Sequence, residues 1–347
     1  MDMAFLVGVL LVALGGILEG LFSIPVTKVK TWEFENIWGV GSLIALLLLP
    51  WPLSYFFVED LSQLYASIPN SILISIVLCG FAWGIGGIYW GRAIATLGMA
   101  LGVSILMGLI NVFGSIVPLS VFEPNKIFTL GGGILILAVL IMIVGIIIIS
   151  IAGKKKEQAL VIRESKVVEN KKTGIFRLGL IFCLISGILS SAVNFAFIIG
   201  APITEEASKM RVHDYATSFA IWSLVFTANF SINVIYGFYT MLKKGTLKNL
   251  SKGSFSREWI GAVFMGLAWP GGIIIYGIGA NAMGPYGAYA GFPMMILASI
   301  LAGNLAGALG GEWKNTGVAP RRIMITGILV LCLAFSLLGY STYVMNG

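Results

Sequence analysis

The stretch Gly80-Phe-Ala-Trp83-Gly84-Ile85-Gly86-Gly87-Ile88-Tyr89-Trp90-Gly91, running on to Leu97-Gly98-Met-Ala-Leu-Gly102, decides how the chain is read. It is apolar, aromatic and glycine-rich, and it returns 186 residues later. Gly80, Ala82, Trp83, Gly86, Gly91 and Gly98 line up without a gap with Gly266, Ala268, Trp269, Gly272, Gly277 and Gly284. The same order of apolar segments flanks each copy. Shorter echoes keep that order: Gly16-Ile-Leu18 with Gly187-Ile-Leu189, and Gly133-Ile-Leu135 with Gly327-Ile-Leu329. The chain reads as two related halves, with this segment and its echo near a central cavity.

The surrounding composition is that of a polytopic membrane protein. Hydrophobic residues make up 58% of the chain and charged residues only 11%, against about 25% charged in a soluble domain. In a soluble protein a formal charge of +7 would point to an anionic partner; here it reflects loop charge that orients the chain in the bilayer. No basic patch alternates with aromatics outside the apolar segments, which argues against nucleic acid. Cys79, Cys183 and Cys332 all lie inside apolar runs, an odd set that suits neither a disulfide framework nor a metal site. The single His213 cannot make a histidine cluster. No basic n-region precedes the first apolar run, so it reads as a retained span rather than a signal peptide.

A bilayer span needs about 20 apolar residues, and ten segments qualify: roughly 4–26, 37–58, 71–93, 98–120, 129–152, 174–199, 213–241, 258–280, 284–309 and 322–344. Tight turns are expected at Thr96-Leu97 and at Met283. The one long polar segment, 153–173, divides a first five-helix half (1–152) from a second (174–347). With ten spans, 19 of the 22 Lys and Arg residues fall on one side, leaving Lys126, Lys209 and Arg211 on the other. The positive-inside rule then puts both termini outside the cytoplasm and makes 153–173 a cytoplasmic basic linker. Five spans per half is an odd number, so the halves insert with opposite orientation. The expected fold is all-α, with ten transmembrane helices in two inverted five-helix repeats. Trp83 and Trp269 become symmetry mates, each about one turn inside the starting end of its helix, on opposite sides of the membrane.

Between the first two spans stands Pro25-Val-Thr-Lys28-Val29-Lys30-Thr-Trp32-Glu-Phe-Glu35-Asn-Ile-Trp38-Gly-Val40-Gly41, followed by Leu49-Pro50-Trp51. Together with Trp83-Gly84-Ile85-Gly86, Gly91, Leu97-Gly98-Met99 and Glu312-Trp313-Lys-Asn315-Thr-Gly317, the chain resembles the bacterial L-rhamnose–proton symporter family of the drug/metabolite transporter superfamily. The resemblance runs from end to end and is strongest in the loops and in spans two to four. It implies a multi-pass protein of the bacterial inner membrane that carries a small sugar with a proton and needs no cofactor. The matching residues themselves read as fold and loop determinants, and none is carried over as a sugar ligand.

One carboxylate sits unambiguously inside an apolar span: Glu19, in Gly15-Gly-Ile-Leu-Glu19-Gly20. At about 1.5 Å per residue it lies about 22 Å in from residue 4. As an ion there it costs about 2.5–3.5 kcal/mol or more, so it should face the bundle interior or water. Such a group can take and release a proton as its exposure alternates between the two sides, which makes Glu19 the proton-coupling candidate. The plainer reading has it paired with Lys28 or Arg92, or binding a polar substrate without titrating.

A sugar offers hydroxyls to amides and C–H faces to rings. The substrate-binding candidates are therefore Trp83, Tyr89, Trp90, Asn111, Asn194, Asn233, Trp269, Tyr276, Asn281 and Tyr286. Membrane asparagines also serve as helix–helix glue worth roughly 0.6–2 kcal/mol, the blander role for each. Trp32, Trp38, Trp51, Tyr55 and Tyr65 read as interface anchors. Glycines four apart allow close packing, whereas Gly86, Gly87, Pro270, Gly271 and Gly272 loosen their helices and are the hinge candidates. His213-Asp214, near Glu205-Glu206, Lys209 and Arg211, reads as solvated exterior surface, with a pH-sensing role as the alternative.

Two function classes remain. The first is secondary active transport of a small polar metabolite by alternating access, with proton-coupled sugar uptake leading. Export, another metabolite, or Na⁺ in place of H⁺ are its variants. The second, a membrane-embedded transferase, would need clustered carboxylates, metal ligands or a nucleophile with its base. The cytoplasmic loops supply none of these.

Overall fold

The computed structural model describes residues 3–22, 24–25, 29–164, 173–311, 313–314 and 316–347. Lys28, Lys166, Lys171, Lys172, Glu312 and Asn315, which figured in the topology or in the resemblance, lie outside the described residues. Ten described helices are long and apolar enough to cross a membrane: α1 Met3–Leu21, α2 Phe34–Phe57, α3 Asn70–Leu97, α4 Leu101–Phe122, α5 Leu130–Lys156, α6 Phe176–Lys209, α7 Phe219–Lys244, α8 Phe255–Ala282, α9 Gly287–Leu309 and α10 Val318–Asn346. No strand occurs among the described residues.

Local chemistry sets where these helices start, stop and loosen. Glu33 and Asn36 form a reciprocal capping box that begins α2, satisfying N–H groups that have no partner within the helix. Within α2 and α4 the turns Ile44–Leu48 and Val112–Ile116 widen to π geometry. Each ends two residues before a proline, Pro50 or Pro118. Proline lacks an N–H and its ring crowds the preceding turn, so the ladder is disturbed there. The helix containing α5 continues past the membrane segment to Glu164, so the first part of 153–173 is helical. The sharp turns fall at Gly98 and Gly284, whose φ angles are +86° and +90°. They are one residue later than expected at both places, because glycine alone adopts that backbone without strain.

Packing follows the repeat. α1 lies against α8 and α9, and α6 lies against α3 and α4; α5 runs along α10, and α2 along α7. Exchanging span n for span n+5 turns the α1 pairings into the α6 pairings and maps α5–α10 and α2–α7 onto themselves. The echoed glycines obey the same rule. A methyl group added to Gly80 would sit 2.5 Å from the Val225 carbonyl oxygen of α7, and one on Gly266 would sit 2.8 Å from the Gly41 carbonyl of α2. Gly86 likewise abuts Leu189 and Ser190 of α6, and Gly272 abuts Gly15 and Glu19 of α1. Gly133 and Gly327 break the pattern: Gly133 faces open space while Gly327 presses on Ile149. The arrangement is consistent with two inverted five-helix halves.

The loop motif before α2 acts as a latch. Glu35, almost fully buried, accepts from Lys244 Nζ at 3.0 Å and from Thr246 Oγ1 at 2.8 Å. Asn36 Nδ2 donates to the Thr246 carbonyl at 3.0 Å. Glu258, wholly buried, accepts from the backbone N–H groups of Lys30 (3.2 Å), Thr31 (3.1 Å) and Ser254 (2.9 Å). Trp32 packs edge-on to Trp259 at 5.1 Å. Charge-assisted bonds of this kind are roughly twice as strong as neutral ones, and together they tie the segment before α2 and its first turn to the α7–α8 loop and the first turn of α8.

Candidate functional site

Aromatic rings from four spans, together with Phe22 just after a fifth, pack together in the interior. Trp269 of α8 stacks on Phe22 just after α1 (6.0 Å, 25°), tilts against Trp38 of α2 (5.1 Å) and meets Trp83 of α3 near edge-to-face (5.7 Å, 65°). Trp83 also touches Phe226 of α7 at 5.8 Å. The repeat-related tryptophans thus touch each other at mid-span, rather than lying one turn inside opposite ends. Trp83 is residue 14 of the 28 in α3, and Trp269 is similarly central in α8. The ends of both helices lie too far away for the expected placement.

Glu19 borders this cluster. Its carboxyl lies beside the Trp269 side chain, and Oε2 is buried with no hydrogen-bond partner. It forms no ion pair among the described residues, and Arg92 instead lies over the Tyr89 ring at 5.4 Å. A buried acceptor left unmatched costs about 1–3 kcal/mol, more for a charged group. This oxygen therefore favours a proton or a ligand hydroxyl. On the other flank of Trp269, the Trp38 indole donates to Asn233 Oδ1 at 2.9 Å, and Asn233 Nδ2 donates to Asn229. The result is a continuous strip of carboxylate, indole, indole and amide.

The remaining candidates fall elsewhere. Asn194 and Tyr276 form a separate, fully buried knot. Tyr276 Oη donates to Asn194 Oδ1 at 2.5 Å, and Asn194 Nδ2 donates to the carbonyls of Gly114 (2.6 Å) and Ala288 (3.1 Å). That amide is saturated by helix–helix bonds. Asn111 turns Nδ2 back on Met107 O at 2.7 Å, leaving Oδ1 buried and unmatched. Asn281 Nδ2 is buried without a partner. Tyr286 carries Lys126 Nζ over its ring at 4.6 Å. Tyr89 packs on Phe182 at 5.7 Å, and Trp90 lies beside Ala93 and Cys183. Among the hinge candidates, α3 runs on unbroken through Gly86 and Gly87, and α8 through Pro270, Gly271 and Gly272. Gly87 and Gly271 face open space. His213 stacks on Tyr215 at 5.3 Å in a cleft of about 540 Å³ with Glu59 and Arg211.

Trp38, Phe22 and Phe226 were not among the candidates. Trp38 reads from sequence as an interface anchor, being close to the start of its span. One turn later comes Gly41, whose carbonyl lies beside Gly266. A small residue on each helix lets α2 approach α8, and that spacing was the available signal.

A protein-family profile described as L-rhamnose-proton symport protein matches residues 1–343. The L-rhamnose-proton symporters of Yersinia pestis (strain Pestoides F) and Yersinia pseudotuberculosis (serotype O:1b, strain IP 31758) are each 29% identical to this chain. In both cases the alignment covers 98% of this chain and 98% of the relative.

Proposed function

From the chain's membership of the L-rhamnose–proton symporter family, a family of transporters and not of enzymes, we propose that it takes up L-rhamnose or a closely related sugar with a proton by alternating access. The observation that carries this reading is the unmatched Glu19 Oε2 beside the repeat-related pair Trp83 and Trp269. Protonation removes the penalty of holding an ion in the apolar interior, and a neutral carboxyl can both donate to and accept from sugar hydroxyls. The loaded site is then neutral and hydrogen-bonded, which permits the two halves to reorient. The ring faces of Trp83, Trp269 and Trp38 take the C–H face of the sugar, and Asn233 supplies amide hydrogen bonds.

In this reading residues 1–152 and 174–347 are the inverted halves joined by a cytoplasmic linker, 153–173, in the bacterial inner membrane, with both termini outside. A reporter active only in the cytoplasm, fused to either terminus, is expected to stay silent; activity at either end would reverse the orientation. Proteoliposomes holding the purified chain are expected to accumulate labelled L-rhamnose, within a panel of sugars, only under an inward proton gradient. Gradient-independent entry, or no uptake of any sugar, would overturn the assignment.

A further inference from the structure

A groove runs between α3 and α7 on the membrane-facing surface, about 240 Å³ in volume and lined by Ile85, Ile88, Ile232, Ile235, Tyr236 and Tyr239. Helical periodicity explains its make-up. Ile85, Ile88 and Arg92 stand at i, i+3 and i+7 of α3, and Ile232, Tyr236, Tyr239 and Lys243 at i, i+4, i+7 and i+11 of α7. Each set lies on one helix face. The two helices also run side by side in the same direction, since Gly80 abuts Val225 and Gly84 abuts Ile232. Both apolar stripes therefore end in a cation at the same end of the groove. The guanidinium of Arg92 lies 5.4 Å from the Tyr89 ring and the ammonium of Lys243 5.9 Å from the Tyr239 ring. Neither makes an ion pair among the described residues, and both are exposed. Tyr239 is 59% exposed and Ile235 67%.

We propose that this groove is a binding site for one anionic phospholipid: an acyl chain lies along Ile85, Ile88, Ile232 and Ile235, and the phosphate is held between Arg92, Lys243 and the Tyr239 hydroxyl. The two cations supply the charge complementarity. Bulk acyl chains cover any apolar face, but an apolar channel that ends in two unneutralised cations distinguishes an anionic headgroup from a zwitterionic one. A basic residue near a bilayer surface attracts anionic lipid by about 1 kcal/mol, so the pair predicts roughly thirty-fold selectivity, at a factor of ten per 1.36 kcal/mol.

The test is a titration of the full chain, purified in a neutral detergent, with phosphatidylglycerol or phosphatidylcholine. Bound lipid is counted by native mass spectrometry and thermal stability is followed in parallel. Phosphatidylglycerol is expected to bind at one site roughly thirty-fold more tightly than phosphatidylcholine. The R92Q/K243Q double variant, altered only at exposed positions, should bind the two lipids equally. Ile235→Trp, which fills the groove but keeps both cations, should lose the site as well. Equal binding of both lipids by the unaltered chain, full selectivity in the double variant, displacement by glycerol phosphate alone, or occupation of the groove by a second copy of the chain would each overturn the proposal.

Discussion

Glu19→Gln is expected to abolish proton-driven sugar accumulation while leaving exchange of internal for external sugar in place. The glutamine keeps the size of the side chain and its place beside the Trp269 indole. It cannot gain or lose a proton. What separates the empty carrier from the loaded one in the wild type is the expense of burying an ion, about 2.5–3.5 kcal/mol. At a factor of ten per 1.36 kcal/mol, that bias corresponds to about 100-fold between gradient-driven and gradient-free uptake. In the variant both rates should coincide and lose their pH dependence, with exchange within a factor of a few of the wild type. Initial rates in proteoliposomes, with and without an imposed pH gradient, decide the matter. Wild-type accumulation by Glu19→Gln would remove this residue from the coupling mechanism without touching the family assignment.

The second large effect concerns the seam between α1 and α8. Gly15→Leu should prevent recovery of a folded, monodisperse protein. A Cβ at Gly15 would lie 2.5 Å from the carbonyl oxygen of Gly272 and 3.0 Å from the Tyr276 nitrogen. Both neighbours are backbone, so no flexible side chain can yield and the helices themselves must separate. Overpacking in a well-filled interior typically costs 1–3 kcal/mol and occasionally more; rigid backbone on both sides of this contact puts it at the upper end. Gly87→Ala is the control, since nothing lies within 4 Å of its added methyl group, and it should leave stability unchanged or raised by roughly 0.5–1 kcal/mol through better helix propensity. Thermal unfolding in detergent, followed by gel filtration, compares the two. A Gly15→Leu protein as stable as Gly87→Ala would mean that the seam opens at little expense.

Much of the architecture was legible because each span is a long apolar run. Hydropathy placed all ten; Gly86 and Gly272, read from sequence as hinges, instead sit in tight helix contacts, as Gly80 and Gly266 do. Boundaries were less legible, since they depend on groups that hydropathy does not weigh. α2 starts at Phe34 because of the Glu33–Asn36 box. α6 continues beyond Gly200 into the polar turn sequence Ala201–Lys209. The candidate site was legible in residue type but not in partnership. Asn194 and Asn233 look alike in sequence. One is saturated by carbonyls 80 and 94 residues away, while the other sits beside the tryptophan cluster. Only three-dimensional packing distinguishes a sealed amide from one near a ligand's path. The latch residues Glu35 and Glu258 were hidden for the same reason, their partners lying more than 200 residues away in Lys244, Thr246, Lys30 and Thr31.

The contact between Trp83 and Trp269 has a geometric implication. Under the proposed inverted repeat the two are counterparts, and residues that touch their own counterparts lie beside the rotation axis relating them. When an inverted-repeat carrier passes from one open state to the other, each half adopts the conformation the other has left. Trp83 then inherits the surroundings Trp269 has now, and Trp269 those of Trp83. Their mutual contact survives because the swap maps it onto itself. The neighbours Phe22, Trp38 and Phe226, and Glu19 with them, have no such protection and must change. Under that proposal the tryptophan pair is the fulcrum of the motion, and the carboxylate, set off to one side of it, is among the groups that travel.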